Sequence, residues 1–402
     1  MGKNILYVTN YYLEDVIAQR NSQPYISQAG QNKGKYIIDM LEHGGNQVTV
    51  WSNAWTSSRS FRFYKGFRSE INENIYYSDI VGIPGLNALT CFSSSKRFLK
   101  RYVKEHKIDV LIFYNMRLEN SKLALYAKKH FGIPIVLQYE DGLTTDAHIT
   151  GMKRRIYQNM EDKVLKELDG AFLVNSKIQV PCPAVVIRGA IREPEKAACE
   201  NVANIKASEV ETAKDRVYEG TTDNVPKILF ASTLDRQRGI EVVMEALKYT
   251  EADFKLQITG RGDRETLAKD GTDKRVEFLG YLDYETYQQK LRESDICLNA
   301  QLAHHEFGNF SFPSKIFEYL SAGKLVISSD VADAEEALGE ALLIYHNDDP
   351  KELAKKIEQA IAIWQDKNKW QHYQMKISDV IQENSIGRVA EKVNKLLDKV
   401  GK

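Results

Sequence analysis

Short runs of apolar, β-prone residues alternate with amphipathic helical stretches along this chain, and a polar segment at 195–224 interrupts the alternation once before it starts afresh. A rhythm of this kind commits a chain to parallel sheets with helices packed on both faces. A single break in it marks the border between two such sheets. The 402 residues also exceed what one core usually fills, so two α/β domains of about 150 to 200 residues each are expected.

The first series opens with a strand at 5–9 that ends in polar Asn10. A long loop at 11–34 follows, then a helix with Ile37, Ile38 and Leu41 on one face, and a strand at 48–51. Helices at 93–106, 121–130 and 153–168 then alternate with strands at 110–114, 135–138 and 171–175. In the second series, strands at 227–231, 255–259, 276–279, 296–299 and 325–328 are joined by helices at 241–248, 284–293, 314–322 and 350–364. The stretch 370–402 reads as mostly helical. The expected organisation is 1–194, a polar junction or insertion at 195–224, a second domain at 225–375, and a helix within 376–402 that returns toward the first domain. Doubly wound sheets bind ligands beyond the carboxyl ends of their strands, so two of them are expected to face a cleft.

Composition excludes several classes. Lys and Arg number 55 against 55 Asp and Glu, without the net basic charge of a nucleic-acid binder. Cys91, Cys182, Cys199 and Cys297 form no CxxC pair and no zinc-ligand spacing, which argues against a metal site or disulfide framework and fits a reducing cytoplasm. The apolar stretch at the start is too short for a signal peptide, and nowhere do about 18 apolar residues run together, so any membrane contact is peripheral. The helix at 93–106 carries Lys96, Arg97, Lys100, Arg101 and Lys104, with Phe98, Leu99, Tyr102 and Val103 between them. Such a face is either simply solvated or suited to the anionic inner leaflet of a membrane.

The most informative segment runs from Phe312 to Lys324, where Pro313 and Gly323 bracket a helix of about three turns. Amides at its start, with Ser314 and Lys315, suit a diphosphate. Glu318 lies on the same face, roughly 6 Å further along the axis at about 1.5 Å per residue, and its carboxylate can accept bonds from both hydroxyls of a ribose. An ordinary surface helix is the alternative for this segment taken alone.

This stretch resembles the Pro-Ser-Lys-x-x-Glu-Tyr helix of retaining glycosyltransferases of the GT-B fold, in glycosyltransferase family 4. Other segments fall in the family's order. The run from Ser232 to Ile240 looks like its Gly-Arg-Leu-x-x-x-Lys-Gly loop, the run from Leu256 to Gly262 matches its strand and glycine turn, and the run from Val276 to Tyr281 is similar to the segment whose backbone holds the nucleobase. The resemblance covers residues 225–365 well and the first domain loosely. It implies two Rossmann-like domains, a nucleotide-sugar bound as substrate with no cofactor, and no metal, which agrees with the absence of Asp-x-Asp from the sequence.

In the family an Arg and a Lys of the first loop neutralise the leaving diphosphate. Here Thr233 occupies the arginine position and Arg238 the lysine position, so the resemblance implies Arg238 and Lys315 as the catalytic cations, with Arg236 a spare or merely solvated. The implied donor site comprises Ser232, Thr233, Gly280, Tyr281, Gly308, Asn309, Ser314, Lys315 and Glu318. The family also has a glutamate eight positions before the one matched by Glu318, where this chain has Phe310. Glu306 is a candidate substitute at the sugar, and Asn309 with the amides around Gly308 is another.

In the first domain, Gly30 sits where the family carries a glycine in its acceptor loop. Glu140 and Asp141 follow a strand and are candidates to orient the acceptor hydroxyl or line the reacting sugar, with a plain Asp-Gly turn as the alternative. The implied reaction is hexose transfer from a UDP- or GDP-sugar to a glycan or lipid-linked acceptor, in surface polysaccharide or glycoconjugate biosynthesis. A nucleotide-sugar epimerase of the same fold, or a non-catalytic homologue binding a glycan or a partner transferase, are the alternatives that the departures at Thr233 and Phe310 keep open.

Overall fold

The computed structural model of the protein describes residues 2–20, 28–57, 59–140, 150–189, 191, 225–262, 273–303 and 312–400. The chain divides into two compact units, Met1–Ala190 together with Ile386–Lys402, and Ile191–Ser385.

In the first unit the strands are β1 (Asn4–Thr9), β2 (Gln47–Ser52), β3 (Phe63–Tyr64), β4 (Ile75–Tyr77), β5 (Ile80–Val81), β6 (Val110–Tyr114), β7 (Ile135–Tyr139), β8 (Gly170–Leu173) and β9 (Ala184–Val186). They build a parallel sheet in the order β4-β2-β1-β6-β7-β8-β9, while β3 and β5 pair as a separate antiparallel ribbon. The helices are α1 (Glu14–Arg20), α2 (Gln28–His43), α3 (Leu86–Glu105), α4 (Leu118–Phe131) and α5 (Gly151–Glu167). Every residue of β1 from Ile5 to Val8 is at most 2% exposed. That is why this strand reads as an unbroken apolar run rather than an alternation: helices cover both of its faces.

The second unit repeats the plan with β10 (Lys227–Ala231), β11 (Lys255–Thr259), β12 (Val276–Gly280), β13 (Ile296–Asn299), β14 (Leu325–Ser329) and β15 (Leu343–Tyr345). Their order, β12-β11-β10-β13-β14-β15, places the first strand of the series near the middle, with neighbours added outward on either side. All five ladders are parallel. Its helices are α6 (Ile240–Ala246), α7 (Tyr284–Glu293), α8 (Lys315–Ser321), α9 (Ala334–Leu338), α10 (Pro350–Gln365) and α11 (Lys367–Glu383). Both units are therefore doubly wound Rossmann-like sheets, the pair of folds that defines GT-B.

The last helix, α12 (Ile386–Leu397), belongs to the first unit. Val389, Ala390, Val393, Leu396 and Leu397 are buried in one cluster with Ile37, Met40 and Leu41 of α2. Their i, i+1, i+4, i+7, i+8 spacing gives one apolar stripe, and burying each large aliphatic is worth about 1.5–3 kcal/mol. Asn394 fixes the register, donating to the Gly44 carbonyl at 2.8 Å and accepting from the Asn46 amide at 3.0 Å.

Three expectations change. The handover to the first unit falls at 385/386 rather than 375/376, because α11 is held by the second sheet: the buried Tyr373 hydroxyl donates to the Ala341 carbonyl and accepts from the Val326 amide of β14. The stretch 11–34 is not one long loop, since it holds α1 and the start of α2. The helix expected at 93–106 starts at Leu86, where Gly85 supplies a left-handed backbone that turns the chain into it. The polar junction at 195–224 lies outside the described residues.

Candidate donor site

The carboxyl ends of β10, β11 and β12 are stitched together by backbone bonds. Ser232 donates its amide to Thr259, Leu234 to Arg261, and Gly260 to Gly280, while the Thr259 hydroxyl also reaches the Gly280 carbonyl. Gly260 is required here: at φ 150 its missing Cβ would lie 1.6 Å from the Ser232 oxygen. A rigid floor results, with Gly280 at φ 72 turning the chain into Tyr281. The Tyr281 ring is 64% exposed, and the Arg261 guanidinium lies 4.5 Å from its centroid.

Beyond β10 the chain forms a single 3-10 turn, Arg236–Arg238, capped by Asp235, whose carboxylate accepts the Arg238 amide at 2.9 Å. Gly239 ends the turn at φ 75, with its Cβ position 1.8 Å from the Ala300 carbonyl oxygen. Only glycine lets this loop press onto the exit of β13. The Arg238 guanidinium then donates to Gln301 at 2.5 Å, and the Gln301 carbonyl accepts the Ser329 hydroxyl. Arg238 is thus exposed yet oriented from beneath. Arg236 points away, with its side chain 82% exposed and paired with Glu241.

Helix α8 is shorter than the three turns expected. It spans seven residues, Ser314 precedes it without a side-chain cap bond, and Ile316, Phe317, Tyr319 and Leu320 are buried. Ser314 is exposed. With so short a helix the amide dipole contributes less than the side chains it presents. Lys315 and Glu318, three residues apart, share the remaining face.

The Lys315 ammonium donates to the Ala231 carbonyl at the end of β10. Desolvation pushes its pKa down to about 8, Glu318 pulls the other way, and Arg238 adds to the depression. Arg238, far off in the sequence, and Glu318, one turn along the same helix, therefore both act on Lys315 in the fold. A partly buried ammonium with a second cation beside it favours an anion as ligand.

Glu318 accepts from the Tyr287 hydroxyl at 3.0 Å and from the Gln288 amide at 2.6 Å, both on α7. Burial, then Tyr319 and Glu318, drive the Tyr287 pKa far up, so it stays a neutral donor. Each carboxylate oxygen keeps further lone pairs for a ligand. Tyr287, Gln288 and Gln301 were not found from sequence, because the residues that aim a functional side chain carry no motif of their own. Glu306, Gly308 and Asn309 lie outside the described residues, as does Asp141 in the first unit.

In that unit Glu140 follows β7 and is enclosed by partners. Its backbone amide donates to Asn115 and its carboxylate accepts from Gln138 at 2.7 Å. Lys33 of α2 lies 3.4 Å from the same carboxylate and donates to the Ile187 carbonyl. Gln138 in turn accepts from the buried Tyr7 hydroxyl at 2.5 Å, whose pKa burial raises. Lys33 was overlooked because nothing in the sequence links it to residue 140. Gly30 stands one turn before Lys33, on α2 rather than in a loop. Gln31 explains why helix replaces loop there, since its side chain bonds both Tyr12 and Asn10 and ties the helix start to the end of β1.

Residues 225–362 match the family described as Glycosyl transferases group 1. Over the whole chain, the structure is similar to a sucrose-phosphate synthase from Thermosynechococcus elongatus, with TM-score 0.65, 13% identity and 98% of both chains covered. It is similar to Anabaena HepE solved in complex with UDP, with TM-score 0.65 and 15% identity, covering 98% of this chain and 99% of the other. A glycosyltransferase from Rickettsia africae aligns at TM-score 0.63 and 17% identity, covering 99% of this chain and 98% of the other. No curated protein matches the sequence. At these identities the structural likeness speaks for the fold, and the family match speaks for the second unit.

Proposed function

We propose that this chain, a glycosyltransferase of the GT-B fold whose residues 225–362 match the group 1 family, transfers a hexose from a UDP- or GDP-sugar to a glycan or lipid-linked hydroxyl, retaining the anomeric configuration and using no metal. The observation that carries the reading is the desolvated Lys315 ammonium beside Arg238 and Glu318. Breaking the bond between the anomeric carbon and the diphosphate builds negative charge on the departing oxygen, and pre-oriented cations stabilise that charge as it forms. Arg238 and Lys315 take this role in place of a metal ion. Glu318, aimed by Tyr287 and Gln288, accepts the ribose hydroxyls, and the turn at Gly280 and Tyr281 receives the base. HepE, a similar fold, was solved with UDP, which favours a uridine donor as the first to test. Glu140 is the proposed contact to the acceptor hydroxyl, held by Lys33 and Gln138. The work is placed in the cytoplasm, in surface polysaccharide or glycoconjugate assembly.

The test is incubation with a panel of UDP- and GDP-hexoses and acceptors, with and without EDTA, following nucleotide release and the anomeric proton of the product by NMR. Release that survives EDTA, disappears in Lys315→Ala and gives an axial product from an axial donor supports the reading. Conversion of the free donor without an acceptor points to an epimerase instead. Absence of both turnover and nucleotide binding points to a non-catalytic homologue.

A further inference from the structure

The corner where β11 and β12 end carries a cationic side chain to which the donor site gives no task. Arg261 is exposed, yet its backbone is held, because its carbonyl accepts the Leu234 amide at 2.7 Å. The next residue, Gly262 at φ 152, presses so closely on the same neighbour that an added Cβ would lie 2.5 Å from that of Leu234. The loop after β11 is thereby tied to the loop after β10. The side chain is placed as well, since its guanidinium rests on the Tyr281 ring, 4.5 Å from the centroid.

Stacking engages the face of a guanidinium and leaves its N–H groups, which lie in its plane, pointing outward. Arg261 therefore offers donors and no acceptor. No carboxylate among the described residues is paired with it. The acceptors of the same corner are committed elsewhere. Both lone pairs of the Gly280 carbonyl are taken, by the Gly260 amide at 3.0 Å and the Thr259 hydroxyl at 2.7 Å. Asp283 turns its carboxylate onto the start of α7, where the amide and the hydroxyl of Thr286 each bond one oxygen. A planar base arriving at this turn meets the Tyr281 ring, 64% exposed, and beside it a fork of donors. The ring cannot choose among bases, since every base has a π-face to stack. Choice falls to the fork.

We propose that Arg261 reads the nucleobase of the donor by giving hydrogen bonds to a keto oxygen on its edge, so that the site takes uracil and guanine and rejects their amino counterparts, cytosine and adenine. Uracil presents O4, and guanine O6, where cytosine and adenine carry an NH2 group. Against that group the guanidinium sets donor against donor, and both lose the water that satisfied them. Guanine adds N7 beside O6, a pair of acceptors that matches the two prongs of an arginine. This role rests on the turn at Gly280 and Tyr281 receiving the base, as proposed above, and it names the residue that selects that base.

Titration calorimetry of the full chain with UDP, CDP, GDP and ADP tests it. Wild type is expected to favour UDP over CDP, and GDP over ADP, by roughly 10- to 100-fold. In Arg261→Ala both ratios should shrink to within about threefold. Arg261→Gln should level them too, because its amide can turn either its oxygen or its NH2 toward the base. Melting temperature should stay at the wild-type value in both variants, since the side chain is exposed. Unchanged ratios in the two variants would overturn the proposal. So would an equal loss of affinity for all four nucleotides, which would place Arg261 on phosphate or ribose. Either result leaves the donor site standing. Failure of folded wild type to bind any of the four would instead remove the donor site, and this role with it.

Discussion

The candidate donor site of the second unit and the Glu140 network of the first are both built at the carboxyl ends of parallel strands, yet their charges are balanced to different degrees. Around Glu140 the groups answer one another: Tyr7 donates to Gln138, Gln138 donates to Glu140, and Lys33 closes the set on Glu140 and a backbone carbonyl. Around Lys315 two cations are brought together, and desolvation holds the ammonium near a pKa of about 8. A saturated network stabilises the unit that contains it. Two cations beside one carboxylate carry excess positive charge, which costs stability and is offset when an anionic ligand binds, the usual trade at a functional site.

The sharpest way to break this contrast is Lys315→Ala. Loss of one preorganised charge at the departing group should lower turnover by about 10²- to 10³-fold, while calorimetry should show a melting temperature equal to or above wild type. A large drop in melting temperature would mean that Lys315 is structural. Glu318→Ala comes next and should weaken nucleotide affinity by roughly 10- to 100-fold, the worth of hydrogen bonds to a charged acceptor. Titration calorimetry with UDP and GDP measures it, and Tyr287→Phe should give a smaller loss in the same direction.

Gln138→Leu probes the other side. It leaves the buried Tyr7 hydroxyl and the Glu140 carboxylate each short of a partner, which should cost about 1–3 kcal/mol of stability without altering nucleotide affinity. Unchanged stability would remove the contrast between the two regions. The gentlest probe is pH. A diphosphate prefers the protonated ammonium, so nucleotide affinity should fall as pH rises through about 8, by at most about tenfold per unit from this group. Lys315→Met should flatten that part of the profile. The linkage for folding has the opposite sense: because the folded pKa lies below the ordinary 10.5, the unfolded chain binds more protons between the two values, and Lys315 makes the fold more stable as pH rises across that window.

Most strands were legible because their apolar runs are long enough to specify a strand buried on both faces. The runs at 110–114, 227–231, 255–259 and 296–299 coincide with β6, β10, β11 and β13. The short edge strands β4, β9 and β15 escaped notice, since three residues carry no periodicity. Helix α1 escaped as well. Its seven residues hide Val16 and the wholly buried Arg20, whose guanidinium donates to the Asn53, Ala54 and Ser78 carbonyls. An arginine inside a core can be recognised only once the carbonyls around it are known.

By itself the sequence determined the paired Rossmann-like sheets and the residues of the Pro313 to Glu318 segment, because periodicity, helix punctuation and motif spacing are local properties of the chain. Tertiary structure alone decided that Arg238 acts on Lys315, that α7 aims Glu318, and that Lys33 reaches Glu140. The physical reason is the same in each case. Desolvation, charge coupling and hydrogen-bond partnership depend on distance in space, and distance between residues far apart in sequence is fixed only when the strands that carry them are placed in order.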